Sequence, residues 1–168
     1  EALLCNQPFL KYILDHLYNY GFKRIVLSVG YRKEVVQEFF KNEYRGMKIE
    51  YAIEETPLGT GGGIKLAAEK FEREPFFVFN GDTMFHADLW EMEKVYSRGN
   101  VDMVLALKPM TNFSRYGTVE LNDDGKIQTF NEKEFRGKGL INGGVYLLDH
   151  LVFHKKDLPT KFSFEKEI

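Results

Sequence analysis

Four short stretches of this 168-residue chain bring together residue types that can do chemistry. The first is Leu58-Gly59-Thr60-Gly61-Gly62-Gly63, with four glycines in six residues. Glycine costs backbone entropy on folding, so this density marks a backbone that approaches something closely or takes positive φ. A helix reads onward from Ile64 to Lys70, so the loop's N–H groups can face an anion or a base; a flexible turn is the plain alternative. The spacing matches neither the P-loop nor the dinucleotide fingerprint. The second is Asn80-Gly81-Asp82, straight after the apolar run Phe76–Phe79. Open α/β sheets bind ligands beyond the carboxyl ends of their strands. An Asp there can hold a divalent cation that bridges phosphate oxygens, or it can simply cap a turn. The third is Glu132-Lys133, a carboxylate that can accept from sugar hydroxyls beside an ammonium that can pair with a phosphate. Adjacent opposite charges are also ordinary on a solvated surface, and the pair taken alone favours that reading. The fourth is Asn142-Gly143-Gly144 inside an otherwise apolar strand. Two glycines there point to close approach of a ligand or to a β-bulge, and the Asn offers both donor and acceptor.

Other chemistries find no support. His16, His86, His150 and His154 show no metal-ligand spacing, and no Ser/His/Asp or Cys/His arrangement is visible. Cys5 is the one cysteine, so an internal disulfide is excluded and a reducing, cytoplasmic compartment fits. The net charge of 23 − 25 = −2 argues against a protein that holds nucleic acid by bulk electrostatics. No apolar run reaches the roughly 18–20 residues of a membrane span.

The elements that must position these stretches follow from periodicity. Pro8 opens a helix whose Phe9, Ile13, Leu17 and Tyr20 recur at helical spacing, with Gly21 as its stop. Arg24–Val29 reads as a buried strand, Tyr31–Phe40 as a helix, and Met47–Ile53 alternates as a strand. That order predicts a parallel sheet covered by helices. Phe76–Phe79 is apolar throughout and reads as a central strand. Leu89–Tyr96 follows as a helix and Val101–Leu107 as a strand. Thr118–Leu121 and Ile127–Phe130 flank the turn Asn122-Asp123-Asp124-Gly125, a hairpin. The expected fold is α/β: a Rossmann-like three-layer α/β/α arrangement with a mixed, mostly parallel sheet and extra antiparallel strands in the second half.

In order along the chain, Pro8-Phe9-Leu10, Pro57-Leu58-Gly59-Thr60-Gly61-Gly62, Asn80-Gly81-Asp82, Arg115-Tyr116-Gly117, Glu132-Lys133, Ile141–Tyr146 and Ser163-Phe164-Glu165 form a set. Each motif alone is weak; seven in this order are specific. The chain resembles the sugar-1-phosphate nucleotidyltransferases that make NDP-sugars, and among them the mannose-1-phosphate and D-glycero-D-manno-heptose 1-phosphate guanylyltransferases. The family's Gly-rich, Arg-bearing triphosphate loop would precede Glu1, and its second metal-binding Asp would follow Ile168. The resemblance thus implies one catalytic domain over residues 1–168, incomplete at both ends.

The resemblance also implies a reaction: a sugar 1-phosphate displaces pyrophosphate at the α-phosphorus of an NTP. It gives Asp82 and Lys133 catalytic roles, with Mg²⁺ on Asp82. Leu58, Gly59, Thr60, Gly61 and Gly81 would hold the nucleotide. Tyr116, Gly117, Glu132, Asn142 and Gly143 would hold the sugar, and Lys133 its phosphate. Glu54 and Glu55 stand where the family contacts the base edge. Guanine displays two adjacent donors there, which suit a two-oxygen acceptor. Glu55 is nearer the loop, whereas Glu54 continues the strand, so Glu55 and GTP are the expected pair; two solvated loop-edge charges are the alternative. No nucleic-acid or membrane partner is expected, and self-association into a homo-oligomer is left open. A non-catalytic sugar-nucleotide-binding regulatory subunit on the same fold is the second expectation. A doubly wound redox enzyme lacks its G-x-G-x-x-G.

Overall fold

A computed structural model describes residues 3–4, 7–71, 74–99, 101–131, 136–154 and 157–168. The chain forms two compact units, one of Glu1–Glu74 with Phe153–Ile168 and the other of Pro75–Val152.

In the first unit a short antiparallel pair, β1 (Leu3–Leu4) and β2 (Gln7–Pro8), leads into α1 (Phe9–Asn19). Ile13, Leu14 and Leu17 bury the expected helical stripe, and Gly21 at φ +88° ends the turn. Strands β3 (Arg24–Val29) and β5 (Met47–Ile53) pair in parallel, Arg24 opposite Lys48 and Val29 opposite Ile53. The crossover between them carries α2 (Lys33–Phe40), and β4 (Glu43–Tyr44) turns antiparallel onto β5. Helix α2 begins two residues later than its apolar pattern predicts. Arg32 is left-handed at φ +57°, and Tyr31 before it is 92% exposed. Only Phe40 of the helix is buried; Val35 and Phe39 face solvent. Helix α3 (Gly59–Ala68) follows β5 and packs on β3 and β5, and the last helix, α5 (Phe164–Glu167), packs on α3.

In the second unit β6 (Phe76–Phe79) is followed by α4 (Leu89–Ser97), capped by the Asp88 carboxylate, which accepts from Glu91 N at 3.0 Å. Then come β7 (Met103–Phe113), the hairpin β8 (Val119–Leu121) and β9 (Ile127–Phe130), and β10 (Arg136–Leu148). Asn122 Oδ1 holds the hairpin turn by accepting from Asp124 N and Lys126 N. The sheet order is β6-β10-β7, all antiparallel. Strand β10 therefore holds the central place expected of β6, and its residues 143–148 are buried without alternation. An apolar run reports that both faces are covered; it does not report which edges are paired. For the same reason the parallel character is narrower than expected. Among the described residues, β3 with β5 is the one parallel pairing and the others are antiparallel. Tyr96 of α4 donates to Asp149 Oδ2 at 2.8 Å; burial and that bond raise its hydroxyl to about 12. Among the described residues no helix is long and apolar enough to cross a membrane.

One ion pair ties β3 to β5. Arg24 Nε donates to Glu50 Oε1 at 2.8 Å, Lys48 Nζ stands 2.8 Å from the same oxygen, and Arg24 Nη2 also donates to Lys70 O at 2.6 Å. Hydrogen bonds from Arg24 first and Lys48 second hold the Glu50 carboxyl at about 2, against an ordinary 4.5. A lowered folded value means stability that is present above the ordinary value and is lost as pH falls toward the folded one. The prediction is that Glu50→Gln destabilises by about 1 kcal/mol at pH 7. The gap to wild type should shrink below pH 4.5 and close near pH 2. Urea unfolding at pH 7, 4 and 2.5 checks this; a gap independent of pH would refute it.

Candidate functional site

Helix α3 starts at Gly59, five residues before the expected Ile64, so the glycines lie inside its first turns rather than in a loop. Each helical glycine costs about 1 kcal/mol relative to alanine. Close packing gives the reason for tolerating that. A Cβ on Gly59 would stand 2.5 Å from Phe162 O, and one on Gly62 2.7 Å from both Leu58 Cβ and Thr160 O. A Cβ on Gly61 would overlap the Phe162 ring, and one on Gly63 would stand 2.7 Å from Glu54 Oε1. The glycines are thus required by the chain's own neighbours.

The N–H groups at this helix start are partly spent. Leu58 N donates to Glu54 Oε2 at 3.0 Å and Gly61 N to Phe162 O at 3.0 Å. Glu54 Oε1 also accepts from Ser28 Oγ at 3.0 Å. A carboxylate already sits where the helix dipole would attract an anion. Of the two ligands that the sequence allows here, a flat neutral base is therefore favoured over a phosphate. Glu55 takes no part in these bonds: its side chain is 84% exposed, with Lys33 Nζ 3.5 Å away.

In the second unit the structure brings two of the expected stretches together. Phe79 pairs with Val145, and Asn80 N donates to Gly144 O at 2.9 Å. Gly81 and Asp82 follow in an exposed turn at the carboxyl end of β6, where Thr83 Oγ1 donates to Asp82 Oδ1 at 3.1 Å. Gly144 lies at φ +75°, and a Cβ there would stand 2.8 Å from Asn80 Nδ2. A Cβ on Gly143 would overlap the Phe85 ring. The interruption in β10 is a bulge. Asn142 pairs with Leu107 and Tyr146 with Leu105, so four steps along β10 match two along β7. The looped-out residues let Asn142 Nδ2 donate to the Tyr146 hydroxyl at 2.6 Å, while Asn142 Oδ1 accepts from Gly144 N at 2.7 Å.

Tyr116 and Gly117 lie between β7 and β8, with Tyr116 half exposed. Glu132 and Lys133 fall outside the described residues. Among the described residues, no group of three His, Cys, Asp or Glu side chains is placed to hold a metal by itself. Sequence reasoning did not find three positions: Glu54 as a strut beneath α3, Tyr146 as the partner of Asn142, and Phe162 against the glycines. The run of glycines and the Ser163-Phe164-Glu165 motif were the available signals for the last.

These features define an α/β protein with polar groups on turns beyond the carboxyl ends of its strands. The chain belongs to the nucleotidyl transferase family, whose model matches residues 2–168. It is 44% identical over 166 residues to D-glycero-alpha-D-manno-heptose 1-phosphate guanylyltransferase of Aneurinibacillus thermoaerophilus, covering 99% of this chain and 72% of that protein. It is 45% identical over 165 residues to the protein of the same name from Campylobacter jejuni, covering 98% and 72%. Its fold matches the crystal structure of HddC from Yersinia pseudotuberculosis complexed with GMP-PN, at TM-score 0.86 and 30% identity, covering 99% and 73%.

The bulge generates a stability prediction. Gly143→Ala should cost about 1–3 kcal/mol, because the methyl must displace Phe85 and stands 2.9 Å from Ala106 O. Gly81→Ala, with nothing within 4 Å of its Cβ, should change stability by less than about 0.5 kcal/mol. Urea midpoints of the two variants check the contrast; equal costs would show that the Phe85 contact does not govern the bulge.

Proposed function

We propose that this chain transfers a guanylyl group from GTP to a sugar 1-phosphate of the D-glycero-D-manno-heptose type, releasing pyrophosphate. The observation that carries the reading is 44% identity, over 99% of the chain, to a relative of that named activity. The likeness to a protein crystallised with GMP-PN supports the guanine nucleotide. The same likeness, at TM-score 0.86, supports a three-layer α/β/α nucleotidyltransferase arrangement. The reading takes residues 1–168 as belonging to one catalytic domain that works in the cytoplasm, with no nucleic-acid or membrane partner.

In the reaction a sugar-phosphate oxygen attacks the α-phosphorus of GTP. The new O–P bond forms as the bond from the α-phosphorus to its bridging oxygen breaks, and pyrophosphate leaves with the electron pair. No covalent intermediate with the protein is needed; the chain positions two anions and neutralises their charge. Leu58, Gly59, Thr60, Gly61 and Gly81 bind the nucleotide, and Glu55 accepts from the guanine edge. Tyr116, Gly117, Glu132, Asn142 and Gly143 bind the sugar, and Lys133 pairs with its phosphate. Mg²⁺ fits Asp82, a single exposed carboxylate at a strand end, because that ion keeps waters and phosphate oxygens as its other ligands. When bound there, it offsets charge on the phosphate oxygens.

Pyrophosphate release by the full-length protein, across four NTPs and several sugar 1-phosphates, tests the reading; binding without turnover would favour a regulatory subunit instead. Asp82→Asn should lower kcat by at least about 100-fold while the thermal midpoint holds. Near-normal turnover at ordinary Mg²⁺ removes Asp82 from the metal site. For the base, wild type should prefer GTP to dTTP, UTP and ATP in kcat/KM. Glu55→Gln, with one acceptor in place of two, should lose about tenfold of that preference, a modest loss for an exposed carboxylate. A wild-type preference for UTP or dTTP overturns the guanine reading and leaves the nucleotidyltransferase class standing.

A further inference from the structure

We infer that Thr160–Phe164 is a strap that sets the shape of the nucleotide-binding turn at the start of α3, with Phe162 as its positioning residue. The inference rests on the reading of Leu58–Gly61 as nucleotide-binding. Ser163-Phe164-Glu165 belongs to the ordered set of motifs, yet the proposed chemistry gives it no task. The structure supplies one. Phe162 N donates to Leu58 O at 3.0 Å, Gly61 N donates to Phe162 O at 3.0 Å, and Phe164 N donates to Thr60 Oγ1 at 3.0 Å. Three hydrogen bonds therefore join two segments about a hundred residues apart, all of them on residues proposed to touch the nucleotide.

Packing repeats the pattern. Phe162 is 5% exposed, and its ring fills the space that a side chain at Gly61 would take. Thr160 O and Phe162 O close on Gly62 and Gly59. Phe164, 2% exposed, anchors the far end of the strap against Phe153, with ring centroids 6.3 Å apart. The first N–H groups of a helix have no partner within it. Here Phe162 takes that of Gly61 and so fixes the plane of the peptide that a base would lie against. A misplacement of about 1 Å in a binding group can cost 10²-fold in rate without any loss of contact chemistry. Phe162 thus acts on the nucleotide through α3 and not by touching it.

The test uses full-length protein with GTP and a heptose 1-phosphate. Phe162→Leu should raise KM for GTP about tenfold and leave KM for the sugar phosphate within about twofold. A merely structural role would lower the active fraction and hence kcat, leaving both KM values in place. The amide of Gly61 should exchange faster in the variant, a readout that needs no ligand. Should Phe162→Leu not fold, the milder Phe162→Met carries the same comparison. Gly61→Ala should raise KM for GTP by collision with the ring, and Phe162→Ala added to it should recover part of that loss, a coupling that independent sites would not show. Wild type that turns over no GTP overturns the functional reading and the strap with it. Wild type that does turn over GTP, with both KM values raised alike or neither moved in Phe162→Leu, overturns the strap alone.

Discussion

Backbone must come closer to its neighbours at two places than any residue with a Cβ allows, and both units are arranged around that constraint. In the first unit, Gly59, Gly61 and Gly62 let residues 160–162 lie directly on the opening turn of α3. In the second, Gly143 and Gly144 let β10 bulge under Phe85 and against Asn80. Glycine in a helix or strand is locally unfavourable. Its presence in both indicates that tertiary contact outweighs local propensity there. These are also two of the four stretches where the sequence calls for ligand chemistry.

Much of the fold was legible because periodicity and turn chemistry are local. Arg24–Val29 and Met47–Ile53 agree with the strands to the residue, and Asn122–Gly125 is the hairpin turn expected. What was not legible depends on distant partners. The start of α3 moves five residues forward because Phe162, about a hundred residues away, satisfies the N–H of Gly61 and fills its side. The helix expected over Tyr31–Phe40 begins instead at Lys33, after a left-handed Arg32, and only Phe40 of it is buried. Phe76–Phe79 looked central because all four residues are apolar, yet the middle of its sheet is β10, a strand the sequence marks as interrupted.

The candidate site was legible by residue type more than by role. Glu54 and Glu55 are neighbours with the same side chain and different surroundings. Continuing β5 points Glu54 back beneath α3, where its two oxygens accept from Ser28 Oγ and Leu58 N. Glu55, the next residue, lies beyond the strand and stands in solvent near Lys33. A carboxylate committed to a backbone N–H and a hydroxyl is poorly suited to reading a base edge, because guanine would have to displace bonds that hold the turn. Glu55 carries no such commitment beyond one exposed ion pair, which contributes at most about 1 kcal/mol and can be exchanged for a ligand at little cost.

The bulge in β10 shows how such commitments can serve recognition instead of competing with it. Along a regular strand, residues four apart are separated by about 13 Å, too far for a side-chain hydrogen bond between Asn142 and Tyr146. With two surplus residues against β7, Asn142 Nδ2 donates to the Tyr146 hydroxyl at 2.6 Å. The N–H of Gly144, which can only donate, then settles which end of the Asn142 amide is oxygen. An asparagine on a free loop would sample both orientations and present donor and acceptor interchangeably. Here the backbone donor fixes one orientation, and a phenol 2% exposed accepts from the other end of the amide. Loss of side-chain freedom is part of the cost of binding, so, on the proposed reading, an amide oriented in advance can distinguish hydroxyl positions on a sugar that a mobile one would treat alike.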